Sequence, residues 1–339
     1  MSVLFGVHED FAHHDTGAGH PERSARLDAV IRGVGLARVT GALVPFAPRA
    51  ATDAELAVVH LPDYVDALER ACAQPRALDP DTVVGPGSFA AARSAAGAGP
   101  DAIARLDAGV ASAAFLAVRP PGHHARRAQA MGFCLFNNVA IAAALLACRG
   151  ERVFILDWDA HHGNGTQEQF YEDPRVFYCS IHQDGAYPGT GALSERGRGA
   201  GLGTTLNLPL PAGSAGDAYR RAFDEVVLPA VEVFGPTWIV VSAGFDAHRD
   251  DPLTEMGLTA GDFADLTRRV APLAPPGRRL FFLEGGYNLE ALALSAGACI
   301  AGLAGIEWRP ERSSARAVFG DDGADAVVTA ARSLVQRVG

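Results

Sequence analysis

The sequence predicts an α/β fold, with a central, mostly parallel β-sheet flanked by helices on both faces. Three observations carry this reading. Short apolar runs recur along the chain without strict polar alternation, as in strands covered on both faces. Helical patterns fall between them. Unusual polar clusters stand where the apolar runs stop, and in open parallel sheets ligands bind beyond the carboxyl ends of the strands.

The elements follow in order. Strands are predicted at VLFGV (3–7), AAFLAV (113–118), VFILDW (153–158), VFYCSI (176–181), WIVVSA (238–243) and RLFFLE (279–284). A helix over 137–148 is Ala/Leu-rich and ends at Arg149-Gly150, a C-cap pattern. A second, over 217–234, opens on Asp217 and stops at Gly235-Pro236; a third, over 259–273, opens with TAGD and stops near Pro275-Pro276. A fourth, over 288–303, follows Gly-Gly-Tyr. The Gly/Pro-rich stretches 83–100 and 185–203 read as loops inserted at the sheet edge. No linker divides the chain, so residues 1–339 are expected to form one domain, with its chemical motifs between 119 and 290.

Composition excludes several classes of partner. A net charge of −10 argues against a nucleic-acid backbone or an anionic membrane surface. No apolar run approaches the roughly 18 residues of a membrane span, and no signal-peptide pattern is present, so a cytoplasmic location is expected. Five cysteines, odd in number and outside CxxC pairs, suit reduced thiols; Cys134, near the motifs, reads as a small buried hydrophobe. All 29 basic residues are arginine, which with abundant Ala and Gly suggests a GC-rich, bacterial coding bias. A homo-oligomer is compatible with this composition.

The polar clusters are RPPGHHA (119–125), DWDAHHGNG (157–165), SIHQD (180–184), GFDAHRDD (244–251) and EGGYN (284–288). Asp157, Asp159 and His161 alternate, so in an extended segment they would point the same way. Asp159 and His161, completed by Asp246 from another strand end, form a candidate metal set. Two carboxylates and one imidazole suit zinc or ferrous iron, and three protein ligands leave an open, catalytic position. Either aspartate alone would pass for a helix cap or turn former. The adjacent His123 and His124 follow a rigid Pro-Pro-Gly turn, and each needs a partner to fix its tautomer. Asp157 and Asn164 are the natural candidates. An Asp-backed histidine is held toward imidazolium, whereas an Asn-backed one keeps a pKa suited to proton shuttling. Tyr287, after two glycines, could donate a hydrogen bond to a developing oxyanion.

RPPGHHA, GFCLFNNVA, ILDWDAHHGNGTQ, SIHQDGAYPGTG, VSAGFDAHRDDPL and LEGGYN, in this order, together with HPERSARL (20–27), resemble the histone deacetylase family. They are most similar to its class II-type members, including bacterial histone deacetylase-like and acetylpolyamine amidohydrolases. The resemblance covers about residues 1–310. It implies the arginase/deacetylase-like fold and zinc-dependent deacylation of an acylated lysine side chain, or of an acylated polyamine or other small amine. It further implies Asp159, His161 and Asp246 as zinc ligands, and His123 backed by Asp157 and His124 by Asn164. Tyr287 would be the transition-state tyrosine, Phe133 and Tyr187 the aromatic walls of a tunnel, and Gly132 the backbone at its mouth. A structural potassium ion would be held by Asp157 and Asp159 with backbone oxygens of His161 and Ser180. The acidic gatekeeper of the polyamine-selective relative is replaced by Leu253, although Glu255 or the Asp79/Asp81 pair could attract a cation. In the family an Asp of the latter loop grips the substrate backbone.

Two other readings compete. A two-metal ureohydrolase of the same fold needs a further carboxylate where this chain has Gly163. A non-catalytic metal or acyl-amine binding protein would not require the full set of reactive residues found here.

Overall fold

Among the described residues the computed structural model has ten strands: β1 (Val3–Gly6), β2 (Leu43–Phe46), β3 (Arg76–Ala77), β4 (Val83–Val84), β5 (Ala113–Leu116), β6 (Val153–Asp157), β7 (Val176–Gln183), β8 (Thr205–Leu210), β9 (Trp238–Ala243) and β10 (Arg279–Leu283). Eight form one sheet in the order β2-β1-β5-β10-β9-β6-β7-β8, every neighbouring pair parallel; β3 and β4 make a separate antiparallel pair. Residues 1–315 and 322–335 are described; 316–321 and 336–339, inside the expected span 1–339, lie outside the described residues.

Alternate residues of one strand enter different layers. Phe154 and Leu156 of β6 join one apolar cluster, and Val153 and Ile155 join the other across the sheet. Helices cover both faces, so every position of the central strands is buried and the runs read as continuously apolar. The register sets Asp157 beside Ser180 of β7 and Ser242 of β9, which gathers the carboxyl ends of three strands at one place.

All six predicted strands form, and so do the four predicted helices. The first is Asn138–Cys148, N-capped by Asn137, whose side chain accepts the Ala140 N–H. The second, Gly216–Ala222, continues through a π-turn at Phe223–Val227 into Leu228–Phe234. The others are Ala260–Val270 and Leu289–Ala304.

The reading of 83–100 as a loop is corrected: Ser88–Asp107 is a 20-residue helix. Its small residues conceal the helical period because they serve close packing. A Cβ at Gly97 would stand 2.0 Å from the Arg49 carbonyl oxygen, and one at Gly99 would stand 2.7 Å from the Ala142 Cβ. The stretch 185–203 is largely irregular and leads into β8, an edge strand, as expected. The unpredicted strands β2 and β8 are the two edges, where Pro45 and Pro209 are tolerated but weaken the strand signal. The helices Ala25–Leu36 and Pro62–Ala71 are likewise unpredicted. Among the described residues no helix is long and apolar enough to cross a membrane.

Candidate active site

Beyond β6 the chain bends at once, so alternation along an extended segment is not what aims Asp159 and His161. Two consecutive side-chain turns do it. Asp157 Oδ1 accepts the Asp159 N–H at 3.2 Å, and Asp159 Oδ1 accepts the His161 N–H at 2.9 Å. Asp246, three residues past β9, is anchored by the Ala160 N–H at 2.8 Å. His161 Nδ1 then lies 2.9 Å from Asp246 Oδ2 and 3.2 Å from Asp159 Oδ1, and one ligand atom from each of the three lies within 4.8 Å of the others.

Glycine is required on two sides of this group. A Cβ at Gly244 would come 2.1 Å from Asp159 Oδ2, and one at Gly285 would come 2.2 Å from Asp246 Oδ2. Burial opposes the charge of Asp159, but His123 and His161 outweigh it and hold that carboxyl well below the usual carboxylate range. Burial, and then the Asp159 charge, push the Asp246 carboxyl up to about 7. A divalent cation would relieve that cost, and two oxygens with one nitrogen are a donor set that such ions take.

The tandem histidines ride on the turn after β5. Glu284 Oε2 accepts the N–H of Gly122 (2.7 Å) and of His123 (3.2 Å). His123 Nδ1 is 3.0 Å from Asp157 Oδ2, which also accepts the Tyr178 hydroxyl at 3.1 Å. His124 Nδ1 is 2.8 Å from Asn164 Oδ1. The two rings are 4.0 Å apart between centroids but differ in charge preference. Burial opposes the charged form of His123, but the Asp157, Asp159 and Glu284 carboxylates outweigh it and raise the ring to about 10. Burial drives His124 well below its ordinary value, and the positive charges of His123 and His161 add to this. The two rings are thus pushed in opposite directions, His123 toward its charged form and His124 toward its neutral one.

Tyr187 stands beside this pair, and Phe133 beside Tyr287. Tyr187 packs edge-on to His124 at 5.1 Å, and Phe133 edge-on to Tyr287 at 5.7 Å. Gly132 (φ +56°) lies against His124, where a Cβ would come 2.4 Å from Cδ2; Phe133 itself adopts the left-handed region at φ 67°. His162, the second histidine of the Asp157–Gly165 motif, holds the Tyr187 loop through Thr190 Oγ1 at 2.8 Å. Tyr287 is nearly buried, its N–H donating to Asp251 Oδ2 at 2.7 Å, and burial pushes its phenol well above the ordinary value. The same carboxylate accepts the Leu253 N–H at 3.0 Å, which ties Leu253 to the Tyr287 turn while its side chain stays exposed. Asp79 and Asp81 belong to a turn in which Thr82 Oγ1 accepts the Phe133 N–H at 3.1 Å, so both lie near Phe133. Cys134 is buried, and burial raises its thiol well above the ordinary value.

Sequence reasoning assigns no role to the buried scaffold beneath these groups. Glu22 accepts from Arg119 Nε (2.5 Å) and Arg26 Nη1 (3.1 Å), all three fully buried. Arg26 also donates to the carbonyls of Gly286 and Glu284 and lies over the Tyr287 ring at 5.0 Å. Arg119 and Glu284 each adjoin a strand buried on both faces, a place where a charge must find a partner. That signal is visible in the sequence, and Tyr178 and Asp251 have no comparable one.

The parallel sheet thus gathers the paired histidines and the Asp–His–Asp group at the carboxyl ends of its central strands β5, β6, β9 and β10. The histone deacetylase domain family matches residues 20–303. The chain is 40% identical to a probable deacetylase of Archaeoglobus fulgidus, over 88% of this chain and 86% of that one. It is also 40% identical to the histone deacetylase-like amidohydrolase of Pseudomonas aeruginosa (85% and 78%), and 41% identical to the chloroplastic histone deacetylase 14 of Arabidopsis thaliana (86% and 74%). The crystal structure of the HDA15 HD domain superposes with a TM-score of 0.90 at 35% identity, covering 99% of this chain and 96% of that one. The chain belongs to the histone deacetylase family and is a hydrolase acting on amide bonds.

Proposed function

We propose that the chain removes an acetyl or longer acyl group from an acylated lysine side chain or small amine, with zinc held by Asp159, His161 and Asp246. The observation that carries this reading is the unlike histidine pair, one backed by Asp157 and one by Asn164, beside that Asp–His–Asp group. An ion held there would polarise the amide carbonyl and lower the pKa of a coordinated water. His124, kept neutral by burial, accepts the proton of the attacking water and returns it to the leaving amine. His123, kept charged by its carboxylates, contributes positive charge where the tetrahedral oxyanion develops. Tyr287 donates its hydroxyl proton in a hydrogen bond to that oxyanion. Phe133 and Tyr187 enclose the substrate's methylene stem and exclude water, and Gly132 presents backbone at the mouth. A potassium ion taken by Asp157, Asp159 and backbone oxygens of His161 and Ser180 would stiffen the same loop.

Leu253 offers no carboxylate on the turn held by Asp251, which favours acyl-lysine over acetylpolyamine as substrate. The test is a parallel rate assay on metal-loaded protein with an acetyl-lysine peptide, N-acetylputrescine and N8-acetylspermidine. Faster turnover of the peptide is expected. Faster turnover of the polyamines would reassign the substrate, and inertness toward all three would remove the catalytic reading.

A further inference from the structure

The chain past residue 303, where the family match ends, comes back toward the active site. The helix Leu289–Ala304 begins two residues after Tyr287, and the segment that follows it lies across the start of the helix Ala260–Val270. The contact is close. A Cβ at Gly261 would stand 2.5 Å from the Glu311 carbonyl oxygen and 2.7 Å from the Ser313 nitrogen. Thr259 Oγ1 donates to the Arg312 carbonyl at 2.8 Å, and the Ser314 N–H to Asp262 Oδ2 at 3.0 Å.

This seat sets the Glu311 carboxylate against His248, which is buried two residues past Asp246. His248 Nδ1 accepts the Asp250 N–H at 3.2 Å, so the ring proton sits on Nε2, which donates to Glu311 Oε2 at 2.9 Å. The same carboxylate accepts the Ala260 N–H (2.9 Å), an orphan donor of the helix start, and Arg249 Nη2 (2.7 Å). On its far side the turn of His248 meets Tyr287. The His248 carbonyl accepts the Asp251 N–H at 2.9 Å, and Asp251 Oδ2 accepts the Tyr287 N–H at 2.7 Å. The Asp250 carbonyl accepts the Asn288 side-chain amide at 2.9 Å. One short turn is thus held by Glu311 on one side and holds Tyr287 on the other.

We propose that Glu311 is a positioning residue for the reaction: by fixing His248, and Asp251 through it, it keeps the Tyr287 hydroxyl aimed at the developing oxyanion. The proposal rests on the deacylase reading above and on the part Tyr287 takes in it. Glu311 makes no hydrogen bond to Tyr287 or to the Asp–His–Asp group, so its effect passes through the turn.

The test measures kcat, KM and metal content of the full, metal-loaded chain with capped acetyl-lysine. Glu311→Ala should lower kcat by about tenfold, part of the roughly 10²–10³ that a lost oxyanion donor costs, with KM and metal content unchanged. Glu311→Gln keeps an acceptor oxygen for His248 and should bring kcat back to within about threefold. Arg249→Ala removes only the outer partner and should leave kcat within about twofold. In a Tyr287→Phe background, Glu311→Ala should cost less than about twofold, because the group it positions is gone; a general loosening of the fold would cost the same factor in both backgrounds. If Glu311→Ala does not fold, Glu311→Asp, which draws the carboxylate back by one methylene, must show the same dependence on Tyr287. An equal loss in both backgrounds, an unchanged kcat in folded Glu311→Ala, no rescue by Gln, or loss of metal overturns the proposal. Inertness of the unmodified chain toward capped acetyl-lysine, or an unaltered rate in Tyr287→Phe, overturns instead the reading on which it rests.

Discussion

Replacing Glu22 by Gln tests whether a buried charge cluster supports the site from below. Burial raises the Glu22 carboxyl, but Arg119, His14 and Arg26 together outweigh this and hold it at about 2 against an ordinary 4.5. At roughly 1.4 kcal/mol per pH unit that difference is worth about 3 kcal/mol of folding stability. Because the folded value is depressed, the contribution is complete above the unfolded value of 4.5 and is lost as pH falls toward 2. More than half of it is gone by about pH 3. Glu22→Gln leaves Arg119 and Arg26 buried without their carboxylate, so at pH 7 the variant should be less stable by about 3–5 kcal/mol. Denaturant unfolding of both chains at pH 7 and pH 3 measures this. The gap should shrink by about 2 kcal/mol at pH 3, where Glu22 is protonated in the unfolded chain but still largely ionised in the folded one. Taking the difference between the chains cancels the other carboxylates that titrate in the same window. Since Arg26 also holds the Gly286 and Glu284 carbonyls and covers the Tyr287 ring, kcat should fall while metal content is unchanged. A gap that is the same at both pH values, or below about 1 kcal/mol at pH 7, refutes the reasoning.

Other substitutions address the site directly. Tyr287→Phe takes away the proposed oxyanion donor and should lower kcat by about 10²–10³ with metal content unchanged; an unaltered rate removes the tyrosine from the mechanism. Asp246→Ala should lose the metal, read by elemental analysis after dialysis, and full occupancy would break the ligand assignment. Gly244→Ala puts a Cβ 2.1 Å from Asp159 Oδ2 and should weaken metal binding in a folded protein; retained stoichiometric metal would show that the carboxylate has room to move. Asn164→Asp sets a carboxylate 2.8 Å from His124 Nδ1 and raises that ring's pKa. A base must be unprotonated to act, so the acid limb of kcat/KM should move to higher pH by about one unit or more, and an unmoved limb would assign the base elsewhere.

The sheet is readable because its central strands are buried on both faces, which forces near-continuous apolar runs in VFILD and WIVVSA. Edges escape the same logic: Pro45 and Pro209 are acceptable only where one side of the strand has no partner, and that is a property of the assembled sheet. The helix Ser88–Asp107 escapes because its glycines answer to Arg49 and Ala142, distant in sequence.

The chemistry divides in the same way. Asp159 and His161 converge through turns made within five residues, so their cluster is written locally, although turns rather than alternation bring it about. The charge difference between His123 and His124 is not local. It depends on Asp157 at the end of β6, Glu284 after β10 and Asn164 at the start of a helix, which meet only once β6 lies between β9 and β7. Spacing along the chain can therefore nominate the two histidines but cannot decide which is the base. The decision belongs to the register that sets Asp157 opposite Ser180 and Ser242, because a slip of one residue would turn Asp157 to the other face of the sheet and leave His123 without its counter-ion.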